Sequence, residues 1–286
     1  MKKPNVIVIL GQTATGKSDL AVKIARKVGG EIISADSRQV YKGLNVGTGK
    51  ITKKEMRSVP HHLLDVVSPR KKFTIVNFQK LATLAMAEII QRGKIPTICG
   101  GAGFYIDAIT KGTIFPKVSP NENLRKKLYS KSAIALFEYL KKFDKVRAKN
   151  IDPKNKVRLI RAIEIAKTLG KIPKITEVKP MYNFIKIGLY LPTEKLKTKI
   201  EKRVKKMFKE GLLQEITKLK KSGLPNKRFR ELGFEYWNPT PEKVIKETMK
   251  YAKRQITWFR RDKEINWFSD ASLALSAFRK KWAKLK

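Results

Sequence analysis

The sequence predicts an α/β protein: a core built on a parallel sheet, a helical insertion near the middle, and a helical C-terminal segment. Three observations carry that expectation. Short apolar runs alternate with amphipathic helical segments through the first third, and a glycine-rich loop joins the first run to the first helix. The texture then turns basic and helical at Val118-Ser119-Pro120, before an apolar run returns at Met181. Alternation of this kind places parallel strands beside crossover helices.

Val6-Ile7-Val8-Ile9-Leu10 is short, apolar and β-branched, as a buried strand requires. Gly11-Gln12-Thr13-Ala14-Thr15-Gly16-Lys17-Ser18 follows at once and matches the two-glycine, lysine and hydroxyl pattern of a phosphate loop (P-loop). Leu20, Ile24 and Val28 then share one helical face. Strand, loop and helix together let successive N–H groups and a helix N-terminus cradle a di- or triphosphate. Lys17 would neutralise the terminal phosphate and Ser18 would ligate Mg²⁺.

Glu31 to Ala35 and Ile95 to Gly100 read as the next strands, and a helix from Phe78 to Gln91 presents Leu81, Leu84, Ala85 and Ile89 on one face. The core is thus expected to be of the P-loop nucleotide-kinase kind. Its first part covers residues 1–115, the insertion 116–180, and residues 181–286 complete it. Met181 to Leu191 should rejoin the sheet as a strand, followed by three helical segments broken at Gly223-Leu224-Pro225 and Asn238-Pro239.

Lys plus Arg number 65 against 24 Asp plus Glu, a formal net charge of +41. A field of that size suits a polyanionic partner, nucleic acid first, although a lysine-rich composition would raise the count without any function. The basic residues run along the whole chain and do not localise a surface. With 42% hydrophobic residues the chain can bury a core. No apolar stretch is long enough to span a membrane, and the start leads directly into the first strand, so no targeting peptide is expected. Cys99, the only cysteine, excludes an internal disulfide and a cysteine-rich zinc site, and is expected to pack as a small apolar residue. A cytoplasmic monomer is the expectation.

Several residues stand out as candidates for chemistry. Asp36-Ser37 ends the second strand, on the edge where α/β proteins bind ligands. Asp36 would either act on a bound substrate or cap the next turn. The third strand ends in Gly100-Gly101-Ala102-Gly103, without the acid with which an ATPase holds metal and water. Those glycines imply close approach of a ligand or a tight turn. Arg203 lies on the apolar stripe of Leu196, Ile200, Met207 and Phe208, so it either faces a pocket or snorkels at the margin. Arg158 and Arg161, one turn apart in a helix from Asn155 to Leu169, could clamp phosphates or a base edge. His61-His62 suits hydrogen bonding better than metal ligation, because adjacent side chains diverge and no third ligand is near in sequence. In the segment Tyr251 to Arg261, Ile256 and Phe259 suit the core, leaving Lys253, Arg254, Arg260 and Arg261 for RNA.

In this order, these segments resemble the tRNA dimethylallyltransferase (isopentenyltransferase) family. The resemblance rests on Gly11 to Ser18, Ile32 to Leu44 with its Asp36-Ser37-Arg38-Gln39-Val40-Tyr41 centre, Pro60 to Asp65, Gly100 to Tyr105, Arg158 to Glu164, and Lys253 to Phe259. It implies transfer of a dimethylallyl group from dimethylallyl pyrophosphate to N6 of the adenosine just 3′ of the anticodon. The loop from Gly11 to Ser18 would then hold prenyl pyrophosphate. Lys17, Mg²⁺ and Arg203 would stabilise the departing pyrophosphate, and Asp36 would accept the N6 proton. The resemblance also implies tRNA contacts from Asp36, Ser37, Arg38, Gln39 and Ala102, from Arg125, and from Val157, Arg158, Leu159, Ile160 and Arg161. Alternatives on the same core are an ATP-dependent small-molecule or nucleotide kinase, and a catalytically weak tRNA-binding relative.

The chain departs from the family pattern in four places. Gln12 replaces a proline and is expected to loosen the loop. Ala102 replaces a threonine and removes a hydroxyl expected to help bind the leaving group or orient the nucleotide. Asn45 and Gly49 also differ and read as peripheral.

Overall fold

The computed structural model describes residues 3–174 and 176–283. The chain forms two compact units, Met1–Gly112 with Lys179–Lys286, and Thr113–Val178. In the first unit β1 (Asn5–Gly11) leads through the phosphate loop into α1 (Lys17–Val28). There follow β2 (Glu31–Ala35), α2 (Lys53–Met56), β3 (His61–His62), α3 (Ile75–Gln91), β4 (Pro96–Gly100) and α4 (Gly103–Thr110). The second unit holds β5 (Thr113–Ile114), α5 (Glu122–Tyr129), α6 (Ala133–Phe143), α7 (Lys145–Lys149), α8 (Lys156–Leu169) and β6 (Thr176–Glu177). The first unit resumes with β7 (Asn183–Leu189), α9 (Thr193–Lys209), α10 (Leu212–Lys221), α11 (Asn226–Leu232), α12 (Pro241–Phe259), β8 (Asn266–Phe268) and α13 (Ala271–Ala283).

Among the described residues the core sheet runs β3-β2-β4-β1-β7-β8, with every neighbouring pair parallel. β1 sits centrally, Val8 lying opposite Ile98 of β4 and Lys186 of β7. Its continuous apolar run follows from burial on both faces. Val6, Val8 and Leu10 pack with Phe78, Ala82 and Met86 of α3 and with Ile106 and Ile109 of α4. Ile7 and Ile9 pack on the opposite face with Leu20 and Ile24 of α1 and with Ala274 and Phe278 of α13. The strand ends on the α1 N-terminal side thereby converge on one edge of the sheet, where the phosphate loop lies.

Two sequence expectations need correction. The buried face of α3 is Phe78, Ala82, Ala85, Met86 and Ile89, and Leu84 is 49% exposed. The stripe is rotated because Phe78, Ala82 and Met86 are the residues that enter the core on that side of the sheet. The C-terminal part contains α9 to α13 in place of three helices, with β8 adding an edge strand beside β7. β8 has three residues, too few for an alternating pattern to show in the sequence. No helix among the described residues is long and apolar enough to cross a membrane.

The second unit has its own core of Leu128, Leu136, Leu140, Ile151, Leu159, Ile160 and Ile163. A charged group lies within it. Glu164 is fully buried and accepts hydrogen bonds from Asn121 N at 2.6 Å and from Arg125 Nε and Nη2 at 2.9 Å each, with Arg161 Nη1 donating a further one. Burial opposes ionisation of this carboxyl, but those donors outweigh it and hold its pKa low.

Candidate functional site

The phosphate loop owes its shape to backbone positions that few residues tolerate. Gly11 has φ 129°, and a Cβ there would lie 2.0 Å from Leu189 O, so only glycine lets the loop leave β1 beside β7. Gly16, at φ 91°, precedes α1 in the left-handed region. Thr15 Oγ1 and Lys17 Nζ both donate to the Gln12 carbonyl. Gln12 itself does not loosen the loop. Its buried side chain accepts from Leu191 N at 3.0 Å, fastening the loop to the chain after β7.

A cavity of about 350 Å³ opens above this loop, lined by Thr13, Ala14, Gly16, Lys17, Ser18, Asp36, Gln39, Arg203 and Gln255 among others. Of the loop residues expected to bind pyrophosphate, Gly11, Gln12 and Thr15 lie beneath the lining, Gln12 and Thr15 being buried. Thr13 lines the cavity, but its N–H is occupied by Gln255 Oε1 at 2.8 Å. The N–H groups left to cradle an anion are those after Thr13. Burial pushes the Lys17 ammonium down to about 8, Cys99 opposing, Arg203 adding to the fall and Asp36 opposing. Cys99 lines the same cavity, and burial raises its thiol to about 11, so it is protonated and inert at neutral pH.

Asp36 caps the turn and also lines the cavity. Its Oδ1 caps the turn, accepting from Arg38 N at 2.7 Å and Gln39 N at 3.2 Å. Its Oδ2 has no protein partner among the described residues, and the residue lines the cavity. Arg203 faces the cavity, donates from Nη2 to Thr48 O at 3.1 Å, and has its pKa lowered by burial. Ala102 precedes α4 with extended backbone and gives that helix no side-chain cap.

A second cavity of about 320 Å³ is lined by Ser37, Arg38, Phe234, Glu235, Thr248 and Arg254, and shares Thr13, Asp36, Thr48, Arg203 and Tyr251 with the first. Burial pushes Glu235 up to about 7, while its own N–H and Arg38 pull it down. Glu235 escaped the sequence reading, since nothing in Gly233-Phe234-Glu235 distinguishes it from a turn.

Gln255 was also missed, although the signal was present. It lies between Ala252 and Phe259 on the buried stripe of α12 and is 4% exposed, the same anomaly that drew attention to Arg203. It binds Thr13 N and donates to Gly101 O at 2.9 Å, tying the phosphate loop to the turn after β4. A Cβ on Gly101 would lie 2.1 Å from Gln255 Nε2, and one on Gly103 2.4 Å from Trp258. Those two glycines therefore admit α12. Asn45 and Gly49 are not peripheral either: Asn45 N bonds Glu215, and Gly49 packs against Arg203.

In the second unit the expected tRNA contacts separate. Leu159 and Ile160 are core residues, 0% and 2% exposed, so their side chains are unavailable to RNA. Arg125 is committed to Glu164, and Arg161 to Glu164 and to Val118 O at 2.9 Å. Val157 and Arg158 are exposed. His61 and His62 make hydrogen bonds to Val59 O at 2.8 Å and Glu31 Oε2 at 2.7 Å, and no group of three or more metal-type ligands occurs among the described residues.

The model of the family described as IPP transferase matches residues 39–262, and that described as isopentenyl transferase matches residues 4–69. This chain belongs to the IPP transferase family. It is 37% identical to a tRNA dimethylallyltransferase of Pelotomaculum thermopropionicum over 96% of this chain and 93% of that protein. It is 39% identical to one of Caldanaerobacter subterraneus over 92% and 91%. The fold matches the crystal structure of a tRNA isopentenylpyrophosphate transferase from Bacillus halodurans with a TM-score of 0.72 at 34% identity, covering 99% of this chain and 96% of that one. A eukaryotic dimethylallyltransferase acting on tRNA gives 0.78 at 28% identity, over 94% and 74%. Family membership favours tRNA prenylation over the kinase alternative.

Proposed function

We propose that this chain transfers the dimethylallyl group of dimethylallyl pyrophosphate to N6 of the adenosine adjoining the anticodon in tRNA, releasing pyrophosphate. Prenyl transfer to tRNA is the activity of the family to which it belongs. The observation that carries the residue assignment is the sharing of Asp36 and Arg203 between two cavities, one floored by the phosphate loop. The first cavity takes the prenyl pyrophosphate, its phosphates on the loop N–H groups and Lys17. The second admits the adenosine, which must leave the base stack to bring N6 within reach.

In the reaction N6 attacks the allylic carbon, the carbon–oxygen bond breaks, and its electron pair leaves with pyrophosphate. Lys17, the loop N–H groups and Arg203 stabilise the charge growing there. The nitrogen becomes cationic as the new bond forms, and Asp36 Oδ2 takes its proton. A neutral exocyclic amine is too weak an acid to be deprotonated first. The donor set also fits Mg²⁺. Ser18 is exposed at the cavity, and Mg²⁺ is commonly held by one or two protein oxygens together with substrate phosphates and water. When bound there by Ser18 and phosphate oxygens, it would add to neutralisation of the leaving group.

Arg38 and Gln39, with exposed Val157 and Arg158, supply tRNA contacts, and the basic surface holds phosphates. Ala102 adds no polar group to them. The enzyme works as a monomer, since one copy supplies the lining of both cavities. Its setting is the cytoplasm, where the buried Cys99 thiol stays reduced. The test is a single-turnover assay with labelled dimethylallyl pyrophosphate, Mg²⁺ and an anticodon stem-loop. Label on the adenosine is expected. Binding of the stem-loop without transfer would instead identify a catalytically weak relative.

A further inference from the structure

The loop from Asn45 to Gly49 has a fastening that the reaction scheme leaves unused. Glu215, in the first turn of α10, directs its carboxylate at three successive amides of that loop. Oε2 accepts from Asn45 N and Val46 N at 2.8 Å each, and Oε1 from Gly47 N at 3.1 Å and from Tyr236 Oη at 2.8 Å. An acceptor-only carboxylate satisfies all four donors, whereas an amide would aim N–H groups at N–H groups. Tyr236 is 2% exposed and fixed between α10 and α11, so the anchor is rigid.

Immediately beyond these amides the loop meets the site. Thr48 O accepts from Arg203 Nη2 at 3.1 Å and from Gln39 Nε2 at 3.4 Å. Gly49 O accepts from Gln39 Nε2 at 3.3 Å. Gly49, at φ 55°, lies so close to Arg203 that a Cβ would come within 2.2 Å of Nη2. The guanidinium is thus held on one side by an acceptor and on the other by a glycine wall.

We infer that Glu215 is a positioning residue for prenyl transfer, gripping the amides of residues 45–47 so that Thr48 and Gly49 set the Arg203 guanidinium against the leaving pyrophosphate. This rests on the role proposed above for Arg203. Glu215 touches no substrate and acts through the loop. Misplacement of a reacting or stabilising group by about 1 Å can cost about 100-fold in rate. Loss of the grip therefore lowers kcat by about 10- to 100-fold.

The test compares Glu215→Gln, Tyr236→Phe, Arg203→Ala and the Glu215→Gln/Arg203→Ala double variant in single-turnover transfer, reading the amplitude, the rate constant at saturating dimethylallyl pyrophosphate and the concentration giving half of it separately. A mere loss of folded protein lowers the amplitude and leaves the rate constant of the remaining enzyme unchanged. The expected result is a Glu215→Gln enzyme whose rate constant falls about 10- to 100-fold at full amplitude, and a double variant no slower than Arg203→Ala. Tyr236→Phe, which removes a single donor and keeps the apolar ring, shows the same fall to a smaller degree and serves if Glu215→Gln does not fold. An unchanged rate constant in both variants, or losses that multiply in the double variant, overturns the role of Glu215. Wild-type transfer by Arg203→Ala overturns the reading of Arg203, and the inference falls with it.

Discussion

Lys17 offers the sharpest test of the site because its charge should be lost close to physiological pH. Burial lowers its ammonium from the usual 10.5 to about 8, with Arg203 nearby adding to the fall. Only the protonated form neutralises a phosphate. At pH 7 about nine-tenths of the free enzyme carries the charge, and at pH 9 about one-tenth does. The second-order rate constant for prenyl pyrophosphate should therefore hold steady below pH 8 and fall about tenfold per unit above it. The fall levels off where the neutral-lysine enzyme takes over, at about 10- to 100-fold below the plateau for loss of a charged hydrogen bond. The ligand's last ionisation, near 6 for phosphate monoesters, only adds negative charge with rising pH and works in the opposite direction. Measured as single-turnover rate against dimethylallyl pyrophosphate concentration from pH 6 to 10, the limb should centre near 8. Lys17→Arg keeps its charge throughout and should lack the limb, whatever its absolute rate. A limb centred near 10, or one that persists in Lys17→Arg, would refute the assignment.

Other consequences concern neighbouring parts of the molecule. Asp36→Ala should retain stem-loop binding measured by anisotropy while transfer falls by about 100- to 10,000-fold, and unchanged transfer removes Asp36 as the proton acceptor. Gln255→Ala leaves the part-buried Thr13 N without its partner and Gly101 O with only the longer bond from Tyr251 Oη at 3.4 Å, which should cost about 1–3 kcal/mol in urea unfolding and raise KM for prenyl pyrophosphate. Arg125→Ala uncovers the buried Glu164 charge. It should destabilise the Thr113–Val178 unit by about 3–5 kcal/mol, seen as earlier unfolding of that unit in hydrogen exchange. Ala102→Thr places a cap on α4, whose preceding residue already has extended backbone, and should add about 1 kcal/mol to stability in the same urea assay.

Much of this protein was legible in its sequence. The β-branched run into Gly11 to Ser18 defines strand, loop and helix by local chemistry alone, since few residues besides glycine suit the turn leaving β1. A buried strand and a phosphate loop are properties of contiguous residues, which is why they could be read directly. Arg203 was visible for a related reason: a charge on an apolar stripe contradicts its neighbours whatever the fold.

Tertiary structure decided the rest, because the quantities concerned are distances between remote segments. Arg125, Arg161 and Glu164 look like a basic helix and its insertion partner in sequence, yet the fold turns them into one buried ion cluster. Leu159 and Ile160 face inward because α8 packs on α6, so the segment matching tRNA-contact positions exposes only part of itself. Gln12 fastens its loop only because β7 ends beside it. Gln255, 242 residues from Thr13, and Glu215, 170 from Asn45, bear on the cavity through hydrogen bonds. The sequence by itself determined the phosphate loop, the central strands and the residue types available for chemistry. Which of those residues face the cavity, and which hold the others in place, was decided only when the sheet brought its strand ends to one edge and α9 and α12 came to line the cavities there.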